Sequence, residues 1–322
     1  MPGKRAFEAQ IAALDILRDA PEPSRSDPLR KALGNKNNFI AGKAADLIRE
    51  FNLQDLTHDL LKTFDRFFQN PEKSDPQCWA KNAISRALAA FEFQEPEVFL
   101  RGMHHIQLEP VWGGRSDIAG TLRATCALGL VQCRSLTNDD LLNHLIDLFT
   151  DSDKAVRAEV ARAIEQVGSP SAASLLRLRA VLGKDEPEVL GACYGGILRL
   201  EGVSATCWIS HFLESHDDAA GEAALALAGT HSPEGFNALK NSLETAHDPW
   251  FRSVLLSAIG LTRHDAAMEF LLDLVKTDSI DAERALEAVV RAMPSTETMQ
   301  RLEKLVTPNP RLALTLAALT KS

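Results

Sequence analysis

Three segments, NNFIAGKAADLI (37–48), QCWAKNAISRAL (77–88) and DKAVRAEVARAI (153–164), place apolar or small residues at matching offsets from an opening Asn, Gln or Asp. The offsets, about three, seven, ten and eleven, follow the 3.6-residue period of a helix with one buried face. Related openings stand at Asp117, Glu186, Asp218, Asp248, Asp281 and Asn309, so the unit recurs every 28 to 40 residues. Each is preceded by a second amphipathic run, among them LTHDLLKTFDRFF, DLLNHLIDLF, FNALKNSLETA, AMEFLLDLV and MQRLEKLV. The repeating unit is therefore a helical hairpin. A lone hairpin cannot bury its apolar face, so successive hairpins must stack into a continuous core. The pattern predicts an all-α protein, a right-handed α-solenoid of about nine stacked helical hairpins. It reads as one domain over 1–322, with longer irregular repeats in 1–135, regular repeats in 136–292 and a capping hairpin in 293–322.

Punctuation supports these boundaries. Every proline except Pro2 falls near an expected helix end, where the missing N–H costs least. The recurring Asp or Asn is a natural N-cap for the second helix of each pair. No stretch alternates for long as a strand would, and Tyr194 is the only tyrosine.

Composition excludes several function classes. Apolar residues make up 45% and charged residues 25%, with no apolar run of membrane-spanning length. The first residues are charged and amphipathic, unlike a signal peptide, so a cytoplasmic location is expected. Five cysteines without a CxxC pair argue against a disulfide framework, and the four that fall in apolar helical runs suit packing. The net charge of −9 disfavours nonspecific binding to nucleic acid or to an anionic membrane. That surplus lies beyond residue 135, because 1–135 hold 18 Lys and Arg against 17 Asp and Glu.

Asp153, Val156, Arg157, Ala161, Ala163, Ile164 and Gly168 trace the pattern D-x-x-V-R-x-x-x-A-x-A-I-x-x-x-G. This resembles the HEAT repeat in its short bacterial, phycobilisome-lyase-like form, most closely over 138–292. The Arg of the pattern recurs at Arg252 but is replaced by Ala41, Thr121 and Leu190 in other repeats, so a continuous Asp–Arg ladder is not implied. HEAT-like folds serve as scaffolds, chromophore lyases, di-iron hydroxylases and DNA glycosylases, so the resemblance alone decides no activity. The hydroxylases use His–Glu pairs, and none occurs here; the four His–Asp pairs do not converge on one point. No metal site, cofactor or catalytic residue is therefore expected.

Two stretches stand out as candidate partner-binding sites. GACYGG (191–196) places Gly191, Tyr194 and Gly195 within an expected helix, which suits either close helix packing or a groove for a partner segment. HHIQLEPVWGGRSD (104–117) exceeds the few residues that a helical hairpin needs as a turn. Trp112 beside Gly113 and Gly114 suggests a loop folded back with a buried indole, acting as a lid over neighbouring repeats. The other reading is a binding edge made by His105, Glu109, Trp112 and Arg115, beside a basic cluster of Lys81, Arg86 and Arg123. The expected function is a non-catalytic scaffold that binds another protein or peptide on the concave face. The alternative is a HEAT-like lyase, enzyme or nucleic-acid-binding protein holding an anionic cofactor or nucleic acid in the N-terminal half.

Overall fold

The computed structural model of the chain describes residues 2–320. Contacts divide it into two compact units, Met1–Val167 and Gly168–Ser322. The first contains α1 (Pro2–Asp15), α2 (Ser26–Leu33), α3 (Asn38–Glu50), α4 (Thr57–Phe67), a short α5 (Pro71–Ser74), α6 (Trp79–Ala90) and α7 (Pro96–Met103). After a β-hairpin of β1 (Leu108–Val111) and β2 (Gly114–Asp117) come α8 (Gly120–Leu130), α9 (Asn138–Leu148) and α10 (Lys154–Val167). The second holds α11 (Pro170–Leu182), α12 (Pro187–Glu201), a short α13 (Thr206–Ser210), α14 (Asp218–Ala228) and α15 (Pro233–Thr245). It continues with α16 (Pro249–Leu261), α17 (Asp265–Lys276), α18 (Ala282–Arg291), α19 (Thr296–Val306) and α20 (Pro310–Leu319). This is the all-α helical-repeat solenoid that the 3.6-residue period predicts.

Within each unit the second helices of successive hairpins lie side by side: α3, α6, α8 and α10 in the first, α12, α14, α16, α18 and α20 in the second. Small side chains permit that approach. Ala41, Ala44 and Ala45 of α3 and Ala80, Ala83 and Ala87 of α6 are all buried. A Cβ on Gly42 would lie 3.3 Å from the Trp79 carbonyl oxygen, so α3 and α6 meet there almost backbone to backbone. Leu and Phe of the first helices close the other side, with Leu60, Phe64, Phe67 and Phe99 buried. Each fully buried Leu or Phe stabilises by about 1.5–3 kcal/mol.

Some of the expected caps are present, whereas the Glu186 and Asp281 side chains cap nothing. Asn37 accepts from the Phe39 and Ile40 amides at 3.0 and 3.2 Å, Asp248 from that of Phe251, and Asn309 from those of Arg311 and Leu312. Pro96, Pro170, Pro187, Pro233, Pro249 and Pro310 open their helices, where no N–H partner is lost. Two caps are displaced from the repeat register. α14 is capped by Asp217 rather than Asp218. α6 is capped not by Gln77 but by Asp75, whose carboxylate accepts from the Ala80 and Lys81 amides at 2.9 and 3.0 Å. Gln77 and Cys78 adopt positive φ (59° and 53°) to make that reach possible.

The terminal hairpin of the second unit obeys the same logic, because α19 packs on α17 and α20 on α18. Removing residues 295–322 uncovers those faces. The truncated chain is expected to bind an apolar dye more strongly and to unfold in urea at a lower midpoint with a shallower slope. An unchanged midpoint and slope would rule out nearest-neighbour stacking as the source of its stability.

Candidate functional site

The stretch 104–117 is neither a loop nor a lid. Leu108 pairs with Asp117, Glu109 with Ser116, Pro110 with Arg115 and Val111 with Gly114, which makes a β-hairpin with Trp112 and Gly113 at its tip. Gly113 takes φ +89°, a turn conformation that a side chain would strain. Trp112 is 103% exposed, so the expectation of a buried indole anchoring a lid is corrected. The hairpin is held at its base instead, by polar groups, and the indole is left free.

Gln107, 1% exposed, is the centre of that base. Its side-chain oxygen accepts from Lys81 Nζ at 3.0 Å and from the Cys78 thiol at 3.2 Å, and lies 3.0 Å from His105 Nε2. Its amide nitrogen donates to the Asp75 carbonyl at 2.9 Å and to Glu109 Oε1 at 2.7 Å. Lys81 completes the network: its ammonium also meets Asp75 Oδ2 at 3.1 Å and the Phe67 carbonyl at 3.3 Å, so all three of its protons have acceptors. A buried pair satisfied in this way is sound as a whole, but removing one partner costs about 3–5 kcal/mol. Burial pushes the Cys78 thiol up to about 12, so it stays protonated near neutral pH. Burial also lowers the His105 pKa, against the hydrogen bond to Gln107.

A second anchor holds β2. Arg123 Nε and Nη2 donate to the two Asp151 oxygens at 2.7 and 3.1 Å, while Nη1 donates to the His105 carbonyl at 3.1 Å and to Asp117 Oδ2. Glu109 latches β1 by accepting from the Gln77 amide at 2.8 Å, and Arg115 pairs with Glu72 at 2.8 Å.

Several expected binding residues thereby become structural. Lys81 is fully buried and Arg123 only 5% exposed, because each is surrounded by acceptors that compensate its charge, so they form no basic surface cluster. Tyr194, 1% exposed, packs in a tilted arrangement against Phe212 with centroids 4.8 Å apart and presents nothing to a partner. Gly191 makes room for Glu222 of α14, whose Oε2 would lie 2.4 Å from an added Cβ, and Gly195 faces Arg199 of its own helix. Their contacts are within the unit. Arg86, Glu109, Trp112 and Arg115 remain at or near the surface.

Sequence reasoning missed the feature that these residues border. An open cleft of about 750 Å³ lies on the second-helix face of the first unit, between α3, α6, the start of α8 and the hairpin. Phe39 and Trp79 form its floor, with ring centroids 4.8 Å apart and Trp79 47% exposed. Glu109, Pro110 and Val111 form one wall; Lys43, Asp46, Asn82 and Arg86 line the rest. Phe39 and Trp79 lie 40 residues apart, within two aligned repeats. An aromatic near the start of two successive second helices was the available signal. Among the described residues no three His, Cys, Asp or Glu side chains come together to hold a metal. No described helix is long and apolar enough to cross a membrane.

Helical hairpins stacked through their second helices define a class, the all-α helical-repeat proteins. The family of HEAT repeats matches residues 116–194, from the end of β2 into α12, so this part of the chain carries HEAT repeats. No curated protein matches the chain.

The hairpin base should respond to acid. Burial works to raise the Asp117 carboxyl, but the Gln107 amide, the Arg123 guanidinium and the Ala119 amide outweigh it and hold the pKa below the ordinary 3.8. A carboxyl depressed in the folded state stabilises fully above its ordinary pKa, and that contribution is lost as pH falls through the depressed value. Exchange of the Gln107 and Ala119 amide protons should therefore accelerate at low pH relative to other buried amides. Asp117→Asn should abolish that difference; its persistence in the variant would assign it to another group.

Proposed function

We propose that the protein is a non-catalytic, cytoplasmic interaction scaffold of the short, lyase-like HEAT type. It acts as a single domain and binds a partner protein on the second-helix face of its first unit. The observation that carries this reading is Trp112, wholly exposed at the tip of a hairpin whose base is fastened by buried hydrogen bonds. Exposing an indole forgoes about 2–3 kcal/mol of burial, and holding it on a rigid support lowers the entropy cost of association. Tryptophan is prominent among the residues that dominate binding energy at protein interfaces. HEAT repeats generally mediate protein interaction, which agrees with this use.

The enzyme alternative required one pocket joining His105, Trp112, Lys81 and Arg123. Lys81 and Arg123 are buried in ion pairs, His105 faces Gln107, and Trp112 is fully exposed. An anionic cofactor or nucleic acid would need uncompensated cations, and the three that this reading relied on, Lys81, Arg123 and Arg86, are met by Asp75, Asp151 and Asp46.

The test is capture of partners from an extract of the native host on the immobilised chain. Trp112→Ala should weaken retention by about 2 kcal/mol or more, roughly thirtyfold. The thermal midpoint should stay unchanged, because the indole supports no packing. An unaltered set and amount of retained proteins would reject the hairpin tip as the contact.

A further inference from the structure

The cleft contains a polar group to which the fold gives no partner. Asn82, one turn beyond Trp79 on α6, is 9% exposed, and its Oδ1 is buried without a hydrogen bond among the described residues. Buried polar groups are nearly always paired, because an unpaired one forfeits its hydration without return. Neighbouring positions of the helix carry Ala80, Ala83 and Ile84, and a leucine has the same branched outline and number of side-chain heavy atoms as Asn82. Packing therefore supplies no reason for an amide here.

The surroundings narrow what could supply the missing partner. Lys43 meets Asp15 at 2.7 Å, Arg18 meets Glu50 at 2.9 Å, and Arg86 meets Asp46 at 3.2 Å. Among the described residues, each cation that lines the cleft therefore already has a carboxylate partner, which disfavours a phosphate or a nucleotide there. What remains is a neutral amide beside the Phe39–Trp79 floor and the apolar wall of Pro110 and Val111. A side-chain amide offers both a carbonyl acceptor and N–H donors, the complement of a peptide unit's own N–H and C=O. An aromatic floor takes an apolar side chain or a proline ring.

We propose that the cleft binds an extended peptide segment of a partner protein, one peptide unit of which pairs with Asn82 while an adjoining apolar side chain rests on Trp79 and Phe39. The inference rests on the protein-binding reading above and gives that partner its local chemistry. Recognition through the backbone makes this subsite tolerant of sequence; the aromatic floor and the hairpin wall supply the selectivity.

The probe is a phage-displayed library of random peptides selected on the full-length chain, with the best binder synthesised and titrated. Asn82→Leu should bind it about tenfold or more weakly. That variant should keep the wild-type helical spectrum, since a residue of the same outline replaces an unpaired amide. Trp79→Ala, at a half-exposed position, should fold normally and also lose affinity. Replacing peptide amides by esters one at a time should find one position that weakens binding to the wild type but not further to Asn82→Leu. Failure to select any peptide, or affinity unchanged by Asn82→Leu, overturns the proposal. Partner capture that depends on Trp112 but not on Asn82 would overturn this subsite and leave the hairpin reading standing. Peptide binding that depends on Asn82, with capture indifferent to Trp112, would do the reverse.

Discussion

The close lateral packing of the second helices is the contact on which the rest of each unit depends. A hairpin of two amphipathic helices leaves one apolar flank open, and only an adjacent hairpin can cover it. In the first unit the approach is set by small residues: Ala41, Gly42 and Ala45 on α3 against Ala80 and Ala83 on α6. With the backbones this near, a larger residue at Gly42 would press on the Trp79 carbonyl and tilt the helix that carries both Trp79 and Asn82. The packing that makes the fold possible therefore also fixes the floor of the cleft.

Charge is placed inside this unit as well as on its surface, and it joins segments that hydrophobic packing leaves apart. Asp75 caps α6 through two backbone amides and pairs with Lys81 one turn later, and Lys81 in turn holds Gln107 at the foot of the hairpin. Arg123 links the other strand to Asp117 and to Asp151 before the next second helix. Burying charges carries a large desolvation cost, and complete pairing is what makes it tolerable. The return is positional: a short two-stranded ribbon, marginal by itself, is held in one place. A comparable link recurs in the second unit, where Arg252 of α16 reaches Asp281 ahead of α18.

The candidate site was partly legible in the chain. The excess length of 104–117 marked it as more than a turn, and Trp112 with its glycines marked the tip. The direction of the indole was not legible. Sequence reasoning weighed the cost of exposing Trp112 and made it the anchor, whereas Gln107 and Asp75 fasten the hairpin through atoms that no repeat pattern singles out. Lys81 and Arg123 misled for a related reason. A basic residue on an expected surface helix reads as solvated until its acceptors, from segments 6 to 28 residues away, are seen around it.

What the sequence determined by itself is the architecture. Apolar spacing of 3.6 residues, prolines at many helix starts and Asn or Asp at caps are local signals, and each acts within a few residues of where it is read. The stacking follows from them because the open flank has no other way to be covered. Tertiary structure alone decided which polar residues are interior and which face the cleft, because burial depends on neighbours one repeat away. Asn82 shows the difference: in the chain it is one more polar residue in an amphipathic helix, and only the approach of α3 makes it a buried amide without a partner.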